Sequence, residues 1–440
     1  MADQADVVVI GAGIAGVSTA YYLAVRHGVG RVVIVDPRPP LTLTSDKSTE
    51  SYRNWWPNSP MVGLMNRSID LLEEMSAESG NVFGLSRRGY LFVTAESARL
   101  GSMAAQAETT STYGAGPVRR HPGPAPYTDY PDGVDVLSPR ELSKWFPYIT
   151  PQAAGAVHVR RAGWFSAQQL GAWMMERARE NSARLVVDEI VAIEVDGDQV
   201  RAVHLAGGEK IETGAVVVAA GPMSAPVAAM AGVDLPLFSE LHLKVTFRDH
   251  LGVIPREAPM IIWSDPQHID WSPEEREGLE EIGRRDLLAE MPVFCHGRPE
   301  GGTESPYFLA LWEYHQEVLE PVWPIADDPL YPEVVMRGLT TMVPGLAAYL
   351  DHLPEASIDG GYYTKTAENR PLIGPAGPDG FHVVAGMSGF GVMVAAGAGD
   401  LAASHLTGAP LPDYSDAFLL DRYQRPGYTE EIAAFDSGQL

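Results

Sequence analysis

Residues 5–36 constrain this chain more than any other stretch. Ala5 to Ile10 reads as a buried strand, Ala-Asp-Val-Val-Val-Ile, and runs directly into Gly11-Ala12-Gly13-Ile14-Ala15-Gly16. A helical pattern follows from Gly16 to about His27, then a second apolar run, Val32 to Val35, ending in Asp36. Strand, glycine triplet, helix, strand and acid in this order form a dinucleotide-binding βαβ unit. Gly11 permits the tight turn, Gly13 lets the backbone approach a pyrophosphate, and Gly16 lets helix and strand pack closely. The pyrophosphate then rests on the free amides and positive dipole end of the helix. Asp36 stands twenty residues after Gly16, where a carboxylate accepts hydrogen bonds from a ribose.

The rest of the chain has room for a second domain, since 440 residues exceed one ordinary core. The net charge of −25 repels phosphate backbones and anionic lipid, which excludes nucleic acid and membrane surfaces as partners. One cysteine, Cys295, allows no intrachain disulfide. It is either a spare thiol or a reactive one, a nucleophile or a covalent cofactor anchor. No apolar run approaches the ~18–20 residues that span a bilayer, and no basic n-region precedes the first strand. A cytoplasmic location is expected, with no metal site and an open oligomeric state.

The pattern along the chain is interleaved. Helices are expected at Met61–Met75, Ser97–Thr109, Ser138–Phe146, Ala167–Asn181, Ser272–Glu290, Tyr331–Val343 and Val392–Leu406. Ala215 to Ala220 is an apolar strand of the kind found in the middle of a parallel sheet, and it ends in Gly221-Pro222. Leu241–Phe247, Pro259–Trp263 and Tyr307–Trp312 suggest an antiparallel sheet. The fold class is α/β: a Rossmann-type domain assembled from residues 1–90, 152–235 and 355–425. An α+β substrate domain with a mainly antiparallel sheet takes 91–151 and 236–354, and 426–440 is a tail.

A second glycine-rich turn decides which dinucleotide. A strand from Phe381 runs into Gly386-Met387-Ser388-Gly389-Phe390-Gly391, where a helix begins. Uncovered amides there can favour negative charge on the pyrimidine edge of a reduced isoalloxazine. The order is now GxGxxG with Asp36, Ala219-Ala220-Gly221-Pro222, Thr364-Lys365-Thr366-Ala367-Glu368-Asn369-Arg370-Pro371-Leu372-Ile373-Gly374-Pro375, then Gly386 to Gly391. It resembles the D-amino-acid oxidase superfamily of flavoproteins, on the sarcosine oxidase and glycine oxidase side, over roughly residues 5 to 408.

The resemblance implies FAD between two domains and a small amine or amino-acid substrate under the antiparallel sheet. It implies oxidation of a C–N bond by hydride transfer to flavin N5, giving an imine, with electrons passed to oxygen or another acceptor. The cofactor residues it implies are Gly11, Gly13, Ile14, Ala15, Gly16, Asp36, Pro37, Thr44, Ser45, Ala220, Gly221, Arg370, Gly386, Ser388, Gly389, Phe390, Gly391, Val392 and Met393. Three departures stand out. The flavin-linking cysteine of sarcosine oxidases is matched by Gly361, so FAD is expected to be non-covalent. A substrate-binding lysine is matched by Met393, whose thioether cannot pair with a carboxylate. A lysine that assists oxygen aligns near Ala310, which would favour a dehydrogenase over an oxidase.

Candidate catalytic residues follow. Arg53 lies near the family's flavin- or carboxylate-binding arginine, with a surface salt bridge as the alternative. His242 and Lys244 share one strand face, Tyr314 and His315 end another, and Lys365 is a further cation near the ring. One of these can serve as acid or base, or each can be hydrogen-bonded structure. Trp55 and Trp56 cannot both face one core, so one is expected to line an aromatic pocket. The alternatives are a flavin monooxygenase and a non-catalytic assembly factor of the same fold. Hydroxylases are disfavoured because Gly399-Asp400-Leu401-Ala402 falls inside a helix. Disulfide-reductase-like flavoproteins are disfavoured because the second dinucleotide unit and the CxxxxC pair are missing.

Overall fold

The computed structural model describes residues 3–120, 131–302, 304–428 and 432. Most of the expected tail 426–440 and ten residues of the proline-rich stretch before Asp135 lie outside the described residues. In the first βαβ unit the strand Val7–Ile10 is buried at every position, as an apolar strand between two layers must be. The helix Ile14–Tyr21 follows and continues as a π-helical turn, Tyr22–Arg26, before the strand Val32–Val35.

These strands lie in a six-stranded sheet of order Arg184–Val186, Val32–Val35, Val7–Ile10, Val216–Val218, Phe381–Ala385, Leu372–Pro375. All neighbours are parallel except the last pair. The helices Ile14–Tyr21, Ser59–Ser79, Ala167–Glu180 and Gly391–Thr407 cover one face and share a core with Val9, Ile34 and Val217. The other face packs, through Val8, Val33 and Val216, against a small sheet of Asp3–Gln4, Lys210–Glu212, Gln199–Leu205 and Ile190–Asp196. Register pairs Ile10 with Val218 and Val35, so the carboxyl ends of three strands stop at one level. Ligands bind at that edge in open α/β sheets.

A nine-stranded sheet forms the second layer. Its order is Ala356–Lys365, Phe238–Arg248, Tyr307–Leu311, Cys295–Glu300, Met260–Trp263, Tyr90–Thr94, Gly155–Val159, Val134–Leu137, Val118–Arg120. It is antiparallel apart from two parallel pairings. Gly155–Val159 and Ala356–Lys365 come from stretches that the sequence pattern placed with the nucleotide-binding part. The helix Tyr331–Met342 packs on the outer face through Val335 and Leu339.

Two of the differences from expectation have a clear local cause. The charged helix expected over Ser272–Glu290 stops at Glu281, because Gly283 turns the chain at φ +79°. Only a 3-10 turn, Arg285–Leu288, follows. The strand Cys295–Glu300 was not expected, since Gly297 and Pro299 read as strand breakers. Gly297 is there for contact: a Cβ would lie 2.5 Å from the Phe308 ring and 2.7 Å from the Leu309 carbonyl. Among the described residues no helix is long and apolar enough to cross a membrane.

Candidate active site

A cavity of about 880 Å³ opens at the carboxyl edge of the parallel sheet, within the ~300–1,000 Å³ range of cofactor sites. The three glycines of the first turn serve three different ends. Gly11 has φ +109°, and a Cβ on it would sit 2.4 Å from the Ala219 carbonyl oxygen. A Cβ on Gly16 would meet the Gly11 carbonyl at 2.0 Å, so that glycine lets the helix seat on the turn. A Cβ on Gly13 would meet nothing closer than Ser45 Oγ at 3.4 Å. Its bareness serves the cavity rather than the protein's own packing.

Side chains complete this end. Asp36 accepts hydrogen bonds from the amides of Ala12 and Arg38, one on each oxygen, both at 2.8 Å. Each carboxylate oxygen retains a lone pair, and Asp36 lines the cavity. Ser45 Oγ accepts from the Ile14 amide at 2.9 Å, in the first turn of the helix. At the far end Gly386 and Ser388 adopt φ +68° and +47°. A Cβ on Gly389 would lie 2.4 Å from the Tyr363 ring, so the loop lies flat against that ring. The helix Gly391–Thr407 starts there without a side-chain cap.

Of the expected cofactor residues, Gly11, Gly13, Ile14, Ala15, Asp36, Pro37, Thr44, Ser45, Ala220, Gly221, Gly386, Ser388, Gly389, Gly391 and Val392 line this cavity. Gly16 supports it from behind. Arg370 lines neither cavity: its amide bonds Thr366 Oγ1 and its carbonyl accepts from Arg422, which makes it part of a buried turn. The amides on either side of Gly13 are held by Asp36 and Ser45 rather than free. A bare approach at Gly13, a carboxylate at Asp36 and a loop flattened at Gly389 fit an elongated dinucleotide with a planar ring at the far end.

A smaller cavity of about 40 Å³ adjoins the first and shares Tyr363 and Gly389 with it. Thr49, Arg53, Trp56, Tyr90, Met260, His296, Glu313, Phe390 and Met393 complete its lining. Arg53 holds the carbonyl of Trp55 through Nε at 3.2 Å, and its guanidinium lies 4.4 Å from the centre of the Trp56 ring. Both tryptophans are buried, in different places. Trp56 meets Phe390 at the cavity wall, and Trp55 meets Phe92 in a separate core. His296 donates through Nδ1 to the Phe294 carbonyl at 2.7 Å, and burial holds its ring below the ordinary histidine value.

The other expected residues do not line this cavity. His242 and Lys244 do share a face of their strand, together with Glu240. His242 stacks on Tyr363 with ring centres 4.1 Å apart. Lys244 donates to the carbonyls of Asp46 and Ser48, and burial lowers its pKa. Lys365 pairs with Glu240. Tyr314 turns away: its hydroxyl donates to Asp328 at 3.3 Å, and its ring packs toward Tyr331 on the outer face of the sheet.

Ala310 belongs to that outer face too. It pairs with Val245 and is buried in the core beneath the helix Tyr331–Met342. A lysine at this register would point away from the cavity, so the alignment that put the oxygen-assisting lysine near Ala310 does not hold. Among the residues lining the small cavity no lysine occurs. Cys295 is fully buried in the same outer core with its sulfur toward the Val335 carbonyl, and burial pushes its thiol up.

Among the cavity residues that sequence reasoning missed, His296 and Glu313 are the acid–base candidates. His296 lies on the strand that Gly297 and Pro299 disguised. Glu313 had a signal: Ala310, Trp312 and Tyr314 alternate on one side, which leaves Leu309, Leu311 and Glu313 on the other.

Comparison with known proteins adds the following. A family model described as FAD dependent oxidoreductase matches residues 6–405. The chain is 26% identical over 275 residues to sarcosine oxidase subunit beta of an Arthrobacter species, covering 58% of this chain and 63% of that one. The chain thus spans less than two-thirds of that relative's length. Its fold is similar to that of L-proline dehydrogenase from P. horikoshii, at a TM-score of 0.75, 21% identity and 97% and 99% coverage. It is also similar to glycine oxidase from Geobacillus kaustophilus, at a TM-score of 0.73, 17% identity and 96% and 99% coverage.

Proposed function

The chain belongs to the FAD dependent oxidoreductase family, and from that premise we propose that it oxidises a C–N bond of an amine or N-substituted amino acid. The observation that carries this reading is the small cavity. It opens beside Gly389 at the ring end of the large cavity, and its walls combine the rings of Trp56, Tyr90, Tyr363 and Phe390 and the thioethers of Met260 and Met393 with the polar groups of Thr49, Arg53, His296 and Glu313. When bound, FAD supplies the two-electron acceptor for the carbon that bears the amine. Arg53, the one arginine among the lining residues, orients a substrate carboxylate, with Trp56 holding the guanidinium in place. Trp56, Tyr90 and Tyr363 shield the substrate from water. The similarity to a sarcosine oxidase subunit supports a secondary amine carrying a carboxylate.

FAD is held without a covalent link, because Gly361 offers no sulfur and Cys295 faces the other core. The setting is cytoplasmic. The test is an anaerobic titration of the purified flavoprotein with sarcosine, proline, other N-methylated amino acids and amines lacking a carboxylate. Bleaching of the flavin band by one of them is the expected result, and readmitted air separates oxidase from dehydrogenase. A flavin that no amine bleaches would overturn the reading in favour of a non-catalytic role.

A further inference from the structure

Four ionisable side chains lead from the small cavity into the sheet. Glu313 lines the cavity, and its Oε2 lies 4.0 Å from His242 Nδ1. His242 Nε2 lies 2.9 Å from Glu240 Oε2. The same oxygen of Glu240 meets the ammonium of Lys365. The His242 side chain is 2% exposed, whereas those of Glu313, Glu240 and Lys365 are 10%, 11% and 13% exposed. A buried imidazole thus bridges two carboxylates that each reach solvent or cavity. One end is fixed by its partner: the Glu240 carboxylate accepts, so Nε2 carries a hydrogen, and Nδ1 faces Glu313.

We propose that Glu313 accepts the proton of the substrate ammonium and that His242, held by Glu240, passes it out of the cavity. This rests on the function proposed above. A protonated amine has no lone pair to stabilise the cation formed when its carbon gives up hydride, so one N–H proton leaves first. The N–H bond breaks and the Glu313 O–H bond forms. That proton then moves to His242 Nδ1, while the Nε2 proton moves to Glu240. Lys365, paired to Glu240, stands at the outer end. The 4.0 Å gap exceeds a hydrogen bond, and one bridging water or a turn of the Glu313 carboxylate spans it.

The charged and titratable neighbours are consistent with this direction. His296 and Arg53 face Glu313 across the cavity and share its electrostatic field. Tyr363 covers the histidine ring, and burial keeps its phenol protonated. Burial of Glu240 opposes its charge, but the hydrogen bonds from His242 and Lys365 outweigh this and keep it ionised.

The experiment measures anaerobic flavin reduction against pH for the wild type, Glu313→Gln, His242→Gln and Glu240→Gln, using the amine that bleaches the wild type. Glu313→Gln is expected to slow reduction by roughly 100-fold or more at pH 7 and to abolish the acid limb of the profile. His242→Gln is expected to slow it less and to shift that limb. Nitrogen-15 NMR of histidine-labelled holoprotein gives a readout independent of turnover. The His242 signal should show the Nε2–H tautomer and should move on Glu313→Gln. Wild-type rates and profiles in Glu313→Gln and His242→Gln, with reduction intact, would overturn the relay alone. A wild type that no amine reduces would overturn the proposed function and the relay together, and an unmoved His242 signal would remove the coupling.

Discussion

Asp36 makes two backbone hydrogen bonds before any ligand arrives, so its removal acts on the turn and on the cofactor at once. We expect Asp36→Ala to weaken FAD binding about tenfold or more, about 1.4 kcal/mol, and to lower the flavin-to-protein absorbance ratio. An unchanged ratio would sink its assignment. The glycines separate the two effects. Gly11→Ala and Gly16→Ala force a Cβ onto backbone oxygens at 2.4 and 2.0 Å and should cost about 2 kcal/mol or more of stability. Gly13→Ala meets only a side-chain oxygen at 3.4 Å. It should leave the melting temperature of the apoprotein near that of the parent and still reduce FAD affinity. Calorimetry of the three apoproteins checks the order. At this scale the nucleotide end was legible in the sequence, because each glycine there answers a local demand. The catalytic end was not. Tyr314 was a candidate and Glu313 was not, but strand alternation sends the tyrosine to the core and the glutamate to the cavity.

Among elements, the strand Ala356–Lys365 does the most to shape the site. It brings Tyr363 under the flattened loop and places Lys365 against Glu240 of the neighbouring strand. By the resemblance, Gly361 of this strand matches the flavin-linking cysteine of sarcosine oxidases, and glycine offers no sulfur. Acid precipitation should therefore release all the flavin into the supernatant, and yellow colour in the washed pellet would contradict this. The sequence showed helices well, since period and caps are local. Ser138 opens its expected helix with a capping box, its hydroxyl and Glu141 bonded reciprocally. It showed the large sheet poorly. Cys295–Glu300 contains a glycine and a proline tolerated because of neighbours far along the chain, and no local pattern reports such neighbours.

For the whole molecule, buried histidines set the acid limit of stability. Burial holds His382 at about 4 and His158 at about 3, both below the ordinary 6.5. The unfolded chain binds these protons as pH falls through 6.5, and the folded chain does not until far lower. Their contribution is therefore fully present above pH 6.5 and is lost as pH drops toward 4 and then 3. His382 alone accounts for up to about 3 kcal/mol of that loss. Melting temperatures between pH 8 and 4.5 should fall steadily on the acid side, and His158→Gln should flatten the slope. A level profile would contradict both assignments.

The parallel sheet has a further consequence for how the protein is made. Val7–Ile10 leaves the ribosome early, but its partner Val216–Val218 is itself flanked by Phe381–Ala385, and the flattened loop follows that strand. At ~5–20 residues per second, tens of seconds separate the synthesis of Val7–Ile10 from that of Phe381–Ala385. The nascent chain carries an exposed apolar strand edge through that interval. Cofactor loading therefore belongs to the end of synthesis, and cellular flavin supply should govern the yield of soluble protein rather than its rate of translation.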